Sequence, residues 1–171
     1  TLVCVSAGVY RVRAPIDVNK GIVISAPGGP QGTVVNNAGA GSVRCFSISH
    51  SNAVVAGFTM TGMNIIDYSY RGGGVMMTAG TVTNCIITDL HMGGRGGGVY
   101  MSGGRLVDSV ISGNSVTEWN EGVGGGICLV DGLVERCVIT NNFVTSHQGG
   151  AGVHMSGGTV RNCLISANRG L

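Results

Sequence analysis

The stretch Gly96 to Asn114, GGGVYMSGGRLVDSVISGN, decides how the chain folds, because it is one of four copies. The others are GGGVMMTAGTVTNCII from Gly72, GGGICLVDGLVERCVI from Gly124 and GAGVHMSGGTVRNCLI from Gly150. Their first 16 residues superpose without gaps, and their starts lie 24, 28 and 26 residues apart. The unequal remainder falls in one place, in stretches such as Ser115 to Val123 and Phe143 to Gln148. A constant core with insertions at one corner marks a solenoid, in which each repeat stacks only on its neighbours.

Side chains alternate within each copy. Val75, Val99, Ile127 and Val153 are expected to point inward, as are Met77, Met101, Leu129 and Met155 two residues later. Met76, Tyr100, Cys128 and His154 then point outward, since successive strand residues face opposite sides. A glycine-containing turn leads to a second run beginning at Val82, Leu106, Val134 and Val160. Asn84, Asp108, Arg136 and Asn162 follow at a sharp bend; Asn and Asp tolerate the left-handed conformation such a bend needs. Beyond it, Cys85, Ser109, Cys137 and Cys163 share one inward site, and Ile87, Ile111, Ile139 and Ile165 share the next. Asn114, Asn142 and Asn168 form a further row, broken by Leu90.

Upstream, Val55 to Met60 matches Val82 to Ile87, with Gly57 at the bend. The runs Gly21 to Ile24 and Thr33 to Asn36 read as the remaining sides of a first coil that begins at Leu2 to Val5. The expectation is an all-β parallel β-helix of about six coils of three short strands, spanning 1–42, 43–71, 72–95, 96–123, 124–149 and 150–171 as a single domain. The chain closes at Asn168-Arg169-Gly170-Leu171, in mid-repeat, and is read as a segment of a longer protein.

Composition agrees. Gly supplies 32 of 171 residues and Pro only 3, so neither collagen nor a helical bundle fits. With 43% hydrophobic and 11% charged residues, a disordered polar tail is excluded. A net charge of +2 argues against nucleic acid as a partner, and no apolar run is long enough for a membrane-spanning helix. The six cysteines include no Cys-x-x-Cys; Cys85, Cys137 and Cys163 are expected as free buried thiols, and a Cys4–Cys45 bridge stays open.

The pattern GGGVYMSGGRLVDSVISGN resembles repeats of right-handed parallel β-helix proteins of the pectin-lyase-like superfamily, of bacterial surface or secreted type. The segment from Ile16 through Gly28-Gly29-Pro30 to Val35 resembles the opening coil of such domains. The resemblance implies the right-handed fold and an extracellular or cell-surface location. It says little about activity, because that superfamily holds lyases, hydrolases and adhesins alike.

No Asp-Asp pair and no acidic calcium cluster is read on the outward rows, and no metal site or cofactor is expected. Glycoside hydrolysis needs two carboxylates roughly 5–9 Å apart; Glu118 and Glu121, in one loop, are the candidate pair. Trp119 in the same loop is a candidate sugar platform, with His91, His147, Tyr100 and His154 as further candidate ligand contacts. Ile86, Val110, Val138 and Leu164 form an outward apolar stripe that suits self-association, as does the uncapped final coil. These residues favour a non-catalytic extracellular scaffold, adhesin-like or assembly-forming, in contact with glycan. The alternative is a fragment of a polysaccharide lyase or glycoside hydrolase.

Overall fold

The computed structural model describes residues 1–37, 43–65, 67–117, 122–145 and 149–171. Among these residues there is no helix, and the strands form three parallel sheets of eleven, seven and five strands. Each sheet is one wall of a β-solenoid of about six turns. A short β-branched run cannot bury an apolar face alone, so each pairs in parallel with its copy about 4.8 Å away in the next turn.

The registers give the stacking directly. On wall A, Ile16, Phe46, Val75, Val99, Ile127 and Val153 pair in succession. Its second half stacks Val3, Ile24, Val55, Val82, Leu106, Val134 and Val160. Wall B stacks Tyr10, Val35, Met60, Ile87, Ile111, Ile139 and Ile165. From Val55 to Ile139 these inward residues are fully buried, and with Met77, Met101 and Leu129 they form one continuous core. Each contributes about 1.5–3 kcal/mol relative to an exposed position.

The first two runs of the repeat are two halves of wall A, joined without a break in Val99–Val107 and Ile127–Glu135. Wall C is built from strands that the repeat did not reveal: Asn64–Ile65, His91–Met92, Ser115–Val116, Phe143–Val144 and Arg169–Gly170. The leading stretch also differs from expectation. Leu2–Cys4 pairs with Val23–Ser25, and Gly8–Arg11 pairs with Thr33–Asn36. Runs expected to be sides of one coil over 1–42 are therefore stacked on each other, as a leading part-turn beneath the next turn. The reason is register: the glycine repeat has not begun there, and matching of β-branched runs sets the tiers.

The bend between walls A and B is left-handed at every tier of the repeat: φ is 49° at Asn84, 50° at Asp108, 51° at Arg136 and 55° at Asn162. Arg136 is an unusual occupant. Its Nε and Nη2 donate to the two carboxylate oxygens of Asp108, one tier below, at 2.7 and 2.9 Å. That bidentate pair offsets the strain of a long side chain in this region. A second left-handed corner follows wall B, at Asp89, Gly113, Asn141 and Ala167.

Just past that corner lies the asparagine row. Asn114 Nδ2 donates to Asn142 Oδ1 (3.0 Å), and Asn142 Nδ2 donates to Asn168 Oδ1 (2.9 Å). Each Oδ1 also accepts a backbone N–H from the tier before: Leu90 to Asn114, Asn114 to Asn142, Asn142 to Asn168. Leu90 thus sits where the chain of amides ends and needs no amide of its own.

All six cysteines are free thiols, Cys4 and Cys45 included. Burial pushes Cys45 up to about 12, Cys85 to about 11 and Cys137 to about 12.

Candidate functional site

The GGG tracts turn the chain from wall C into wall A. Gly97 is there because a Cβ would be driven into the carbonyl oxygen of Gly125 in the next tier. Just before two of these tracts stand Arg71 and Arg95, which pair with each other as a parallel bridge; Val123 continues the row. Their placement is fixed by backbone: Gly72 N donates to Arg95 O (2.9 Å) and Arg95 N to Tyr70 O (3.0 Å). Gly93 and Gly94 let the Asp67–Tyr70 segment of the tier below come close. A Cβ on Gly93 would meet the Tyr68 ring at 2.8 Å, and one on Gly94 would strike the Tyr70 carbonyl oxygen.

This corner alternates cations and aromatic rings. The Arg44 guanidinium lies 4.7 Å from the Tyr70 ring centroid, and that of Arg71 lies 5.3 Å from Tyr100. Arg44 Nη1 is 2.9 Å from Met76 Sδ. Between the arginines a cleft of about 170 Å³ is lined by Tyr68, Ser69, Tyr70, Arg71 and Arg95. Tyr68 is 64% exposed. Asp67 is engaged within its own segment: Ser69 N and Oγ donate to its Oδ1 at 2.9 and 2.8 Å, holding its carboxyl below the usual range. Burial raises the Cys128 thiol, while Arg95 and Arg71 pull it the other way, so both guanidinium groups act on this neighbour.

A second charged cluster lies on the later half of wall A. Glu135, its side chain 8% exposed, receives Arg161 Nε at 2.8 Å, Arg136 Nη1 at 3.1 Å and Arg105 Nη2 at 3.7 Å. The Arg161 hydrogen bond, foremost, keeps its carboxyl below the ordinary value. The cluster joins three successive tiers, with three arginines to the two carboxylates of Glu135 and Asp108, so it reads as a brace between tiers.

Of the residues expected to carry a site, Tyr100 belongs to the cation–aromatic corner. His154 is on the same outward row, two tiers on, beyond Cys128. His91 is on wall C, exposed, with Nδ1 2.7 Å from Ser115 Oγ in the next tier, and is not part of that corner. Glu118, Trp119, Glu121 and His147 lie outside the described residues. The apolar stripe does face outward: Ile86, Val110 and Val138 are half-buried, and Leu164 is 59% exposed. Arg71 and Arg95 were missed because the repeat was counted from its first glycine. The signal was present one residue earlier, as RGGGV recurring at residues 71–75 and 95–99.

Among the described residues, no group of three or more His, Cys, Asp or Glu is placed to hold a metal ion, and no helix is long and apolar enough to cross a membrane. Comparison with protein-family models, with curated proteins and with solved structures finds no match to this chain.

Proposed function

We propose that the chain is a non-catalytic β-solenoid scaffold, adhesin-like, that works outside the cell or on its surface and contacts glycan through its cation–aromatic corner. The observation that carries this reading is the cleft lined by Tyr68, Arg71 and Arg95 on a registered column. An exposed tyrosine ring beside planar guanidinium donors is suited to a sugar, which offers an apolar face and a polar rim. The likeness of GGGVYMSGGRLVDSVISGN to pectin-lyase-like repeats of surface proteins supports the location. The test is a panel of immobilised polysaccharides. Retention with no release of reducing or unsaturated ends supports a binding scaffold. Product release would replace it with the enzyme reading, and no retention on any glycan would end it.

A second reading is assembly through wall B, favoured by the row of Ile86, Val110, Val138 and Leu164. Sedimentation of wild type and Val138→Asp tests it. Concentration-dependent association lost in the variant supports it, and a monomer at all concentrations removes it.

A further inference from the structure

We propose that Asp131-Gly132 is a self-modification site, at which the chain closes a cyclic imide and reopens it as isoaspartate. Of the five aspartates, only Asp131 is followed by glycine; the others precede Val18, Tyr68, Leu90 and Ser109. Asp131 is exposed, and the Gly132 N–H donates to its Oδ1 at 2.7 Å. Its carboxylate makes no ion pair among the described residues, whereas Asp108 is held by Arg136 and Asp67 by Ser69.

The turn demands glycine at this point. At Gly132 φ is 111°, and a Cβ there would meet Gly104 O at 2.7 Å and Met101 Cε at 2.9 Å. The missing side chain also leaves the nitrogen unhindered on the Asp131 side. Gly80, Gly104 and Gly158 hold the equivalent turn, with φ of 81°, 85° and 77°. They follow Ala79, Gly103 and Gly157, so this tier alone places a carboxyl beside the glycine nitrogen. The tier is also irregular. Met101 pairs with Leu129 and Ser102 with Asp131, so Val130 is an extra residue and the chain bulges out of the ladder. A bulge frees the backbone to turn as ring closure requires.

The reaction releases water and then takes it up. Gly132 N bonds to Asp131 Cγ, and the Cγ–Oδ1 bond breaks. Oδ1 leaves as water, with the N–H proton that already points at it and the proton of the carboxylic acid. Cγ is one bond from Oδ1, close to the roughly 3–3.5 Å of a near-attack pair. Water then opens the imide. Addition at Cγ restores aspartate; addition at the main-chain carbonyl gives isoaspartate, whose backbone is longer by a methylene group.

The experiment keeps the full folded chain in heavy-oxygen water for several weeks under native conditions. The free peptide Leu129–Glu135, LVDGLVE, is incubated alongside. Proteolytic mapping then locates isoaspartate and incorporated heavy oxygen. The expected result is conversion at Asp131 about tenfold or more above that at any other aspartate. The folded chain should convert at least as fast as the free peptide, because the fold holds the nitrogen against the carboxyl. Asp131→Asn is the companion variant. It reaches the same imide with ammonia as the leaving group and should convert faster than wild type. Slower conversion in the folded chain than in the peptide overturns the proposal. So does conversion at Asp131 no greater than at the other aspartates, or an Asp131→Asn chain that keeps its amide.

Discussion

Replacing Asn142 by Ala should cost the fold about 3–5 kcal/mol. The side chain is buried and makes four hydrogen bonds. Its Nδ2 donates to Ile111 O (3.0 Å) and Asn168 Oδ1 (2.9 Å). Its Oδ1 accepts from the backbone N of Asn114 (3.1 Å) and from Asn114 Nδ2 (3.0 Å). After truncation, Asn114 Nδ2 keeps Ile87 O, and Asn168 Oδ1 keeps the Asn142 backbone N. The buried Asn114 backbone N–H loses its Oδ1 acceptor, worth about 1–3 kcal/mol, and the other bonds add roughly 0.5–1.5 kcal/mol each. Relaxation around the smaller side chain brings the sum down to the stated range. With a urea slope of about 2 kcal/mol/M, the midpoint falls by about 2 M. The assay is urea unfolding followed by far-UV circular dichroism and by fluorescence, with coincident curves required before a free energy is taken. Asn142→Leu is the companion: it restores volume but no amide, and should lose nearly as much. A loss under about 1 kcal/mol in Asn142→Ala, or recovery in Asn142→Leu, would refute the amide ladder as a source of stability.

Other substitutions probe other contacts. Gly97→Ala should destabilise by about 3 kcal/mol or more, because the added carbon meets the Gly125 carbonyl. Gly113→Asn should stay within about 0.5 kcal/mol, since φ is 65° there and Asn141 already holds the equivalent corner; urea midpoints check both. Glu135 and Asp108 have lowered carboxyl pKa values, chiefly through hydrogen bonds from Arg161 and Arg136 respectively. Their stabilisation is complete above the ordinary carboxylate range near pH 4–4.5 and is lost as pH falls through the folded values. Tm measured between pH 7 and pH 3 should therefore fall more in wild type than in Glu135→Gln, and parallel curves would contradict the brace. At pH 8 a thiol reagent should react promptly with exposed Cys4 and more slowly with half-buried Cys163. Buried Cys45, Cys85, Cys128 and Cys137 should respond only on unfolding, and prompt reaction of all six would contradict the core.

Most of the fold was legible because a solenoid writes its core as vertical identity. Val75 over Val99, Met77 over Met101 and Ile87 over Ile111 could be read by aligning repeats, with no long-range contact to guess. The bend at Asn84 was legible because left-handed backbone has a chemical preference; Arg136 broke the pattern, and only its pairing with Asp108 explains it. The second corner was hidden because its occupants, Asp89, Gly113, Asn141 and Ala167, share no side-chain type. Wall C was hidden because two-residue strands such as His91–Met92 carry no periodicity. The candidate site was half legible. Tyr100 lies on an aligned outward row. Tyr68 and Tyr70 lie in an unaligned corner segment, tied to Arg95 by the close approach of Gly93 and Gly94 and by the Arg95 N–Tyr70 O hydrogen bond.

The central claim is tier-by-tier registration, and distances between paired spin labels on wall B test it most directly. With one label fixed at Leu164 and the other at Val34, Thr59 or Ile86, the registers put five, four and three tiers between them. On a Cys4→Ser, Cys163→Ser background, backbone separations of about 24, 19 and 14 Å are predicted, falling by one tier spacing per step. Distances that fail to shorten in equal steps from Val34 to Ile86 would contradict the solenoid and the corner built on it.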